Sequence, residues 1–107
     1  KGVTVNVGQP LPNLKLSEHA VAEHAEAPLI ADCIRKNGFY QIWKDTREQG
    51  KFYGICKIRD DFFGMAIFNY SLKNNKTAFA PGSGCWRDII NYLSKYATKF
   101  NGGIPVQ

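Results

Sequence analysis

Hydrophobic and polar positions alternate along this chain with two different periods, and the changes of period divide it into elements. "VTVNV", residues 3 to 7, alternates β-branched and small polar side chains and ends at Gly8, with Pro10 and Pro12 close behind. That pattern predicts a short edge strand. From Leu14 the spacing turns helical: Ser17 is a candidate cap, the Ala-rich stretch runs to Ala27, and Pro28 breaks or restarts the helix. A second helix is expected over "APLIADCIRKNG". There proline falls in the first turn, Leu29, Ile30, Cys33 and Ile34 recur at helical spacing, Arg35 and Lys36 suit the C-terminal dipole, and Gly38 suits the cap.

The middle of the chain switches to period two. "FYQIWKD" (39 to 45), "KFYGICKIR" (51 to 59) and "FFGMAIFNY" (62 to 70) are rich in aromatic and β-branched residues and are separated by "TREQG" and "DD", the layout of an antiparallel meander. A shorter fourth strand, "TAFA" (77 to 80), follows the turn "LKNNK". In the second meander strand Phe52, Gly54, Cys56 and Ile58 share one face, and Lys51, Tyr53, Ile55, Lys57 and Arg59 share the other. One face of the sheet is therefore expected to be apolar and the opposite one basic and aromatic.

After "PGSG" the helical period returns in "CWRDIINYLSKYATKF", where Trp86, Ile89, Ile90, Leu93, Ala97 and Phe100 form one stripe, read as a core face. The expected architecture is α+β: N-terminal helices and a C-terminal helix packed on one face of a four- to five-stranded antiparallel sheet. No internal repeat, low-complexity tract or interdomain linker interrupts it.

Composition narrows the class. The 107 residues are 44% hydrophobic and 13% aromatic, which fits one globular domain over residues 1–107. No run approaches eighteen apolar residues, and "KGVTVNVGQP" lacks the apolar core of a signal peptide. The start at Lys1 rather than a methionine is read as the C-terminal fragment of a longer protein. Cys33, Cys56 and Cys85 are odd in number and lack CxxC spacing, so neither a disulfide framework nor a zinc ribbon is signalled. Buried free thiols in a reducing place of action are expected, with a single disulfide as the alternative. Fourteen Lys and Arg against nine Asp and Glu give a net charge of +5, which favours polyanionic partners such as nucleic acid.

"SEHAVAEHAEAP", residues 17 to 28, places both histidines, His19 and His24, within six residues. Three residues separate His19 from Glu23, which is the wrong spacing for either zinc-protease helix motif. On a helix His24 points about 140° away from the His19–Glu23 face, so no three-ligand face forms and no metal is expected. "GSG" at 82 to 84 lacks the Gly pattern and Lys of a phosphate loop and reads as a helix-entry turn. Cys85, near a helix start, is a weak candidate nucleophile.

Metal-independent acid–base chemistry on a basic surface remains. Cleaving RNA through its own 2′-hydroxyl needs a base, an acid for the leaving 5′-oxygen, and cations for the charge on the phosphorane. Histidine titrates in the right range, and Lys and Arg supply the clamp. The candidate catalytic set is His19, His24, Lys44, Arg47 and Tyr70. The candidate RNA-binding set is Lys15, Lys51, Tyr53, Lys57, Arg59, Lys73 and Lys76, with Tyr40, Tyr53 and Tyr70 available to stack bases. The plain alternative for each cation is a solvated surface charge, and for each histidine exposure on an Ala/Glu-rich helix.

From Val3 to Phe100, in element order, size and charge, the chain resembles the barnase/EndoU/colicin/RelE group of small ribonucleases. The non-methionine start, the basic charge and the free C-terminus at "GGIPVQ" also resemble the C-terminal toxin domains of contact-dependent inhibition proteins and colicins. The resemblance implies a ribonuclease acting on tRNA in a target bacterium, with a helix-borne histidine or a Lys/Arg/Thr/Tyr set and no cofactor. It implies delivery as part of a secreted or cell-surface protein, action in the target-cell cytoplasm without membrane insertion of the folded domain, and neutralisation by a cognate immunity protein. Some such toxins also need a host elongation factor. The rival expectation is a non-catalytic nucleic-acid or protein binding module using the basic-aromatic sheet face.

Overall fold

A computed structural model of the protein describes residues 3–15, 24–69, 78–79 and 82–106. Strand β1 (Val3–Val5) pairs antiparallel with the C-terminal strand β7 (Ile104–Val106) in a small two-stranded sheet. Between them run helix α1 (Ala27–Asn37), strands β2 (Gln41–Asp45), β3 (Lys51–Arg59), β4 (Phe62–Asn69) and β5 (Ala78–Phe79), helix α2 (Trp86–Tyr96) and strand β6 (Ala97–Lys99). Strands β2 to β6 form one antiparallel sheet in the order β5-β4-β3-β2-β6. The α+β class read from the period changes is the observed one.

β3 is central, and its burial explains the layering. Phe52 to Cys56 are all buried, so both faces of the strand are covered at its middle. On one face Phe52, Cys56, Ala66 and Phe68 pack with Ile30, Ala31, Cys33 and Ile34 of α1 and with Phe39 and Ile42. On the other, Tyr53, Ile55, Phe63 and Met65 pack with Ile89 and Leu93 of α2. The helices therefore sit on opposite faces, not together on one. Lys51, Lys57 and Arg59 mark only the ends of the expected basic-aromatic face, and Tyr53 and Ile55 between them lie under α2.

α1 is eleven residues long, too short to be stable alone in water. Burial of Ile30 and Ile34, about 2 kcal/mol each, compensates. Pro28 sits in its first turn, and Gly38, at φ 74°, ends it with its N–H on the Ile34 carbonyl. The sheet face under α1 is closely packed because two of its strand positions carry no side chain. A Cβ on Gly54 would overlap the Phe39 ring, and one on Gly64 would overlap Ile30.

Three further expectations change. Leu14, Lys15, His24, Ala25 and Glu26 are not helical, and residues 16–23 of the helix expected before Pro28 lie outside the described residues. The C-terminal helix stops at Tyr96 instead of Phe100: Ala97, Thr98 and Lys99 pair with Asp45, Lys44 and Trp43, so the unpaired edge of β2 takes them as a strand. Phe100 consequently packs against Phe52, on the α1 face, with ring centroids 5.2 Å apart. The residues Ile104–Val106, not read as an element from sequence, form a strand whose Ile104 is fully buried.

Candidate functional site

The densest polar cluster among the described residues surrounds the turn between β2 and β3. It begins with Asp45, the last residue of β2, whose side chain is 1% exposed. Its Oδ1 accepts the backbone N–H groups of Arg47 and Glu48, both at 2.7 Å, which folds "DTRE" into a side-chain-capped turn. Its Oδ2 accepts the Tyr53 hydroxyl at 2.6 Å. The Thr46 backbone N–H and hydroxyl both donate to the Tyr96 carbonyl, at 2.8 and 2.9 Å, satisfying an orphan acceptor at the end of α2.

Cations and rings stand over this buried core. The Arg47 guanidinium lies 4.0 Å from the Tyr96 ring centroid and 3.7 Å from Asp45 Oδ2. Lys51 Nζ lies 5.5 Å from the Tyr53 ring and 3.8 Å from Glu48 Oε1, and Glu48 Oε2 accepts the Asn69 amide at 2.6 Å. Tyr92 and Tyr96, one helical turn apart, meet edge to face at 5.3 Å, and Tyr92 is 41% exposed.

Burial alone pushes the Asp45 carboxyl up, but the bonds from Tyr53, Arg47 and Glu48 and the Lys51 charge together outweigh it and hold the group below its ordinary value. The Tyr53 phenol moves the other way: burial first, then the bond to and charge of Asp45, push it up. At neutral pH the pair is a carboxylate and a phenol, each locked in its usual form. Such a pair positions the turn; it does not exchange protons with a substrate.

The structure brings Arg47 and Lys51 together, with Tyr53 beneath them. Tyr53 is 0% exposed, so its ring has no free face for a base, and its part in RNA stacking is corrected. Lys44 is next in sequence to Asp45 but faces the α1 side, 5.9 Å over the Phe100 ring. Lys57 and Arg59 lie toward the other end of β3, six and eight steps or about 20 and 26 Å from Lys51. There Arg59 stacks 4.5 Å over Phe62, and Tyr40 meets Phe63 and Trp86, both at 5.6 Å.

His24 is half-buried in the turn before α1, its carbonyl accepting the Ala27 N–H at 3.1 Å. Glu26, two residues on, accepts the Ser83 hydroxyl, and adjacent Gly84 bridges to Phe63. His24 thus belongs to the Phe63 end of the sheet, opposite Arg47. Lys15 is exposed beside Leu14, whose carbonyl holds Arg35 at 2.8 Å. His19, Tyr70, Lys73 and Lys76 lie outside the described residues.

Asp45, Glu48, Asn69, Tyr92 and Tyr96 were missed from sequence. The available signals were Asp opening a turn that closes on Gly50 and a tyrosine pair at i, i+4 on a helix. Among the described residues no three His, Cys, Asp or Glu side chains converge as metal ligands, and no helix is long and apolar enough to cross a membrane. In comparisons with known proteins no family model matches the chain, and no curated protein and no solved structure matches it.

Proposed function

We propose that this domain is a metal-independent endoribonuclease of the bacterial toxin type, acting on exposed RNA such as the loops of tRNA. The observation that carries the reading is the Arg47–Tyr96 and Lys51–Tyr53 pairing around one rigid turn, with exposed Tyr92 beside it, in a chain of charge +5. Single-stranded RNA offers the complement: a polyanionic backbone and unstacked bases that lie on aromatic rings.

In this reading Arg47 and Lys51 bind the scissile phosphate and stabilise the phosphorane, and Tyr92 receives a base. Proton transfer is assigned to His19, with Tyr70 as the other remaining candidate, because His24 stands at the far end of the sheet and Asp45 and Tyr53 are held in fixed protonation states. As a toxin the domain would reach a target-cell cytoplasm as part of a larger secreted or surface protein and be silenced in the producer by an immunity protein.

The test is incubation of the purified domain with total bacterial RNA in EDTA, resolved on a denaturing gel. Discrete fragments ending in 2′,3′-cyclic phosphate are expected, lost in Arg47→Ala and His19→Ala and retained in His24→Ala. A second reading draws support from the fixed Asp45–Tyr53 pair, which supplies a clamp without a proton carrier: a non-catalytic nucleic-acid binding module. Intact RNA together with a salt-dependent gel shift, lost in Arg47→Ala, would favour that module over the nuclease.

A further inference from the structure

Two thiols meet beneath α1, away from the turn that carries the RNA reading. Cys33 lies on the buried side of α1, and Cys56 lies in β3 on the sheet face that α1 covers. Their hydrogen bonds interlock. Cys33 Sγ donates to the carbonyl of Lys57, the residue after Cys56, at 3.1 Å. Cys56 Sγ donates to the carbonyl of Ile30, one helical turn before Cys33, at 3.9 Å. Burial first, then the neighbouring Cys33, pushes the Cys56 thiol up.

We propose that Cys33 and Cys56 form a cross-linking site, closed into a disulfide by a low-molecular-weight disulfide such as oxidised glutathione. Cys33, 8% exposed against 0% for Cys56, is the entry point. Its thiolate attacks one sulfur of the reagent, forming a mixed disulfide and releasing one thiolate. The Cys56 thiolate then attacks the Cys33 sulfur, forming the Cys33–Cys56 bond and releasing the second thiolate. The protein loses two protons and two electrons, and the reagent becomes two thiols. Cys85 stands outside the pair, because it opens α2 on the opposite face of the sheet.

The geometry selects this pair because Ile30, Ala31, Ile34 and Phe52 hold α1 on β3, and each thiol already reaches a carbonyl on its partner's element. The cross-link joins the first helix to the central strand and constrains the unfolded chain between them. Oxidation is expected to raise Tm by about 10 °C. This inference does not depend on the RNA reading.

The experiment treats the whole chain with oxidised glutathione, both folded and during refolding from urea, and measures the intact mass. A mass lower by two hydrogens, a peptide map joining the Cys33 and Cys56 peptides, reversal by dithiothreitol, and the same result in Cys85→Ser are expected. Cys33 and Cys56 both still alkylated after either treatment would overturn the proposal, as would a link that contains Cys85. Cys33→Ser must abolish the cross-link, and if that variant fails to fold, the Cys85→Ser map alone decides.

Discussion

The two faces of the sheet are closed by different means. On the α1 face the contacts are aliphatic and aromatic, and glycine at positions 54 and 64 lets Phe39 and Ile30 lie directly on the strand backbone. On the α2 face aromatic rings with polar tips join the aliphatic core: Trp43, Tyr53 and Trp86 pack there, Tyr92 meets Tyr53, and the Tyr53 hydroxyl bonds a buried carboxylate. A face closed by shape alone offers a ligand nothing to recognise. The other face spends buried polar groups on holding a turn still, and at that turn Arg47 and Lys51 reach solvent.

The sharpest break of this contrast is Gly54→Ala. The new methyl would overlap the Phe39 ring, a side chain 1% exposed and already edge-on against Phe68 at 5.4 Å, so it has nowhere to turn. A loss of about 3 kcal/mol is expected, read as a lower urea midpoint at unchanged slope. An unchanged midpoint would mean that the α1 face yields, and that shape is not what closes it.

How much of this was legible follows from the same strands. The meander was written in the sequence: the expected 51 to 59 matches β3, and 39 to 45 and 62 to 70 contain β2 and β4. Which side α2 covers was misjudged because Lys51, Lys57 and Arg59 flank the period-two pattern and lend charge to a face whose middle is Tyr53 and Ile55. The unbroken apolar run from Phe52 to Cys56 was the better guide, since a strand covered on both faces does not need to alternate. Ala97 fitted the helical stripe and still became a strand, because pairing with Asp45 is a contact that no local pattern contains. Asp45 stood in the sequence only as the last residue of the expected strand 39 to 45. Only the fold puts the Tyr53 hydroxyl against it.

Asp45→Asn tests the polar face with the next largest effect. The substitution keeps the shape but removes the charge that accepts two backbone N–H groups and the Tyr53 hydroxyl, at an expected cost of about 2 kcal/mol. The pH dependence has a definite sign. The folded carboxyl titrates below its ordinary 3.8, so its contribution is fully present above about pH 4 and is lost as pH falls through the folded value. Acid unfolding followed by circular dichroism should therefore show a shallower loss of stability below pH 4 in Asp45→Asn than in the parent. Parallel acid limbs would show that the carboxylate draws nothing from its partners.

Arg47→Met has the smallest expected effect on folding and separates positioning from recognition. The Arg47 side chain is 59% exposed, and its contacts are one ring and one carboxylate oxygen at 3.7 Å. Removing the charge should change stability by about 0.5 kcal/mol, because the methionine stem still covers Tyr96. On the RNA reading proposed above, RNA affinity should nevertheless fall several-fold, and the slope of log affinity against log salt should shrink by about one. Lys36→Met, at the exposed end of α1, is the matched control and should leave that affinity close to the parent's. Equal losses in the two variants would reduce the cluster to diffuse positive charge, and the contrast between a shape-closed face and a recognition face would fail with it. A loss confined to Arg47→Met, with the fold intact, would tie recognition to one guanidinium that the buried Asp45 turn holds over Tyr96.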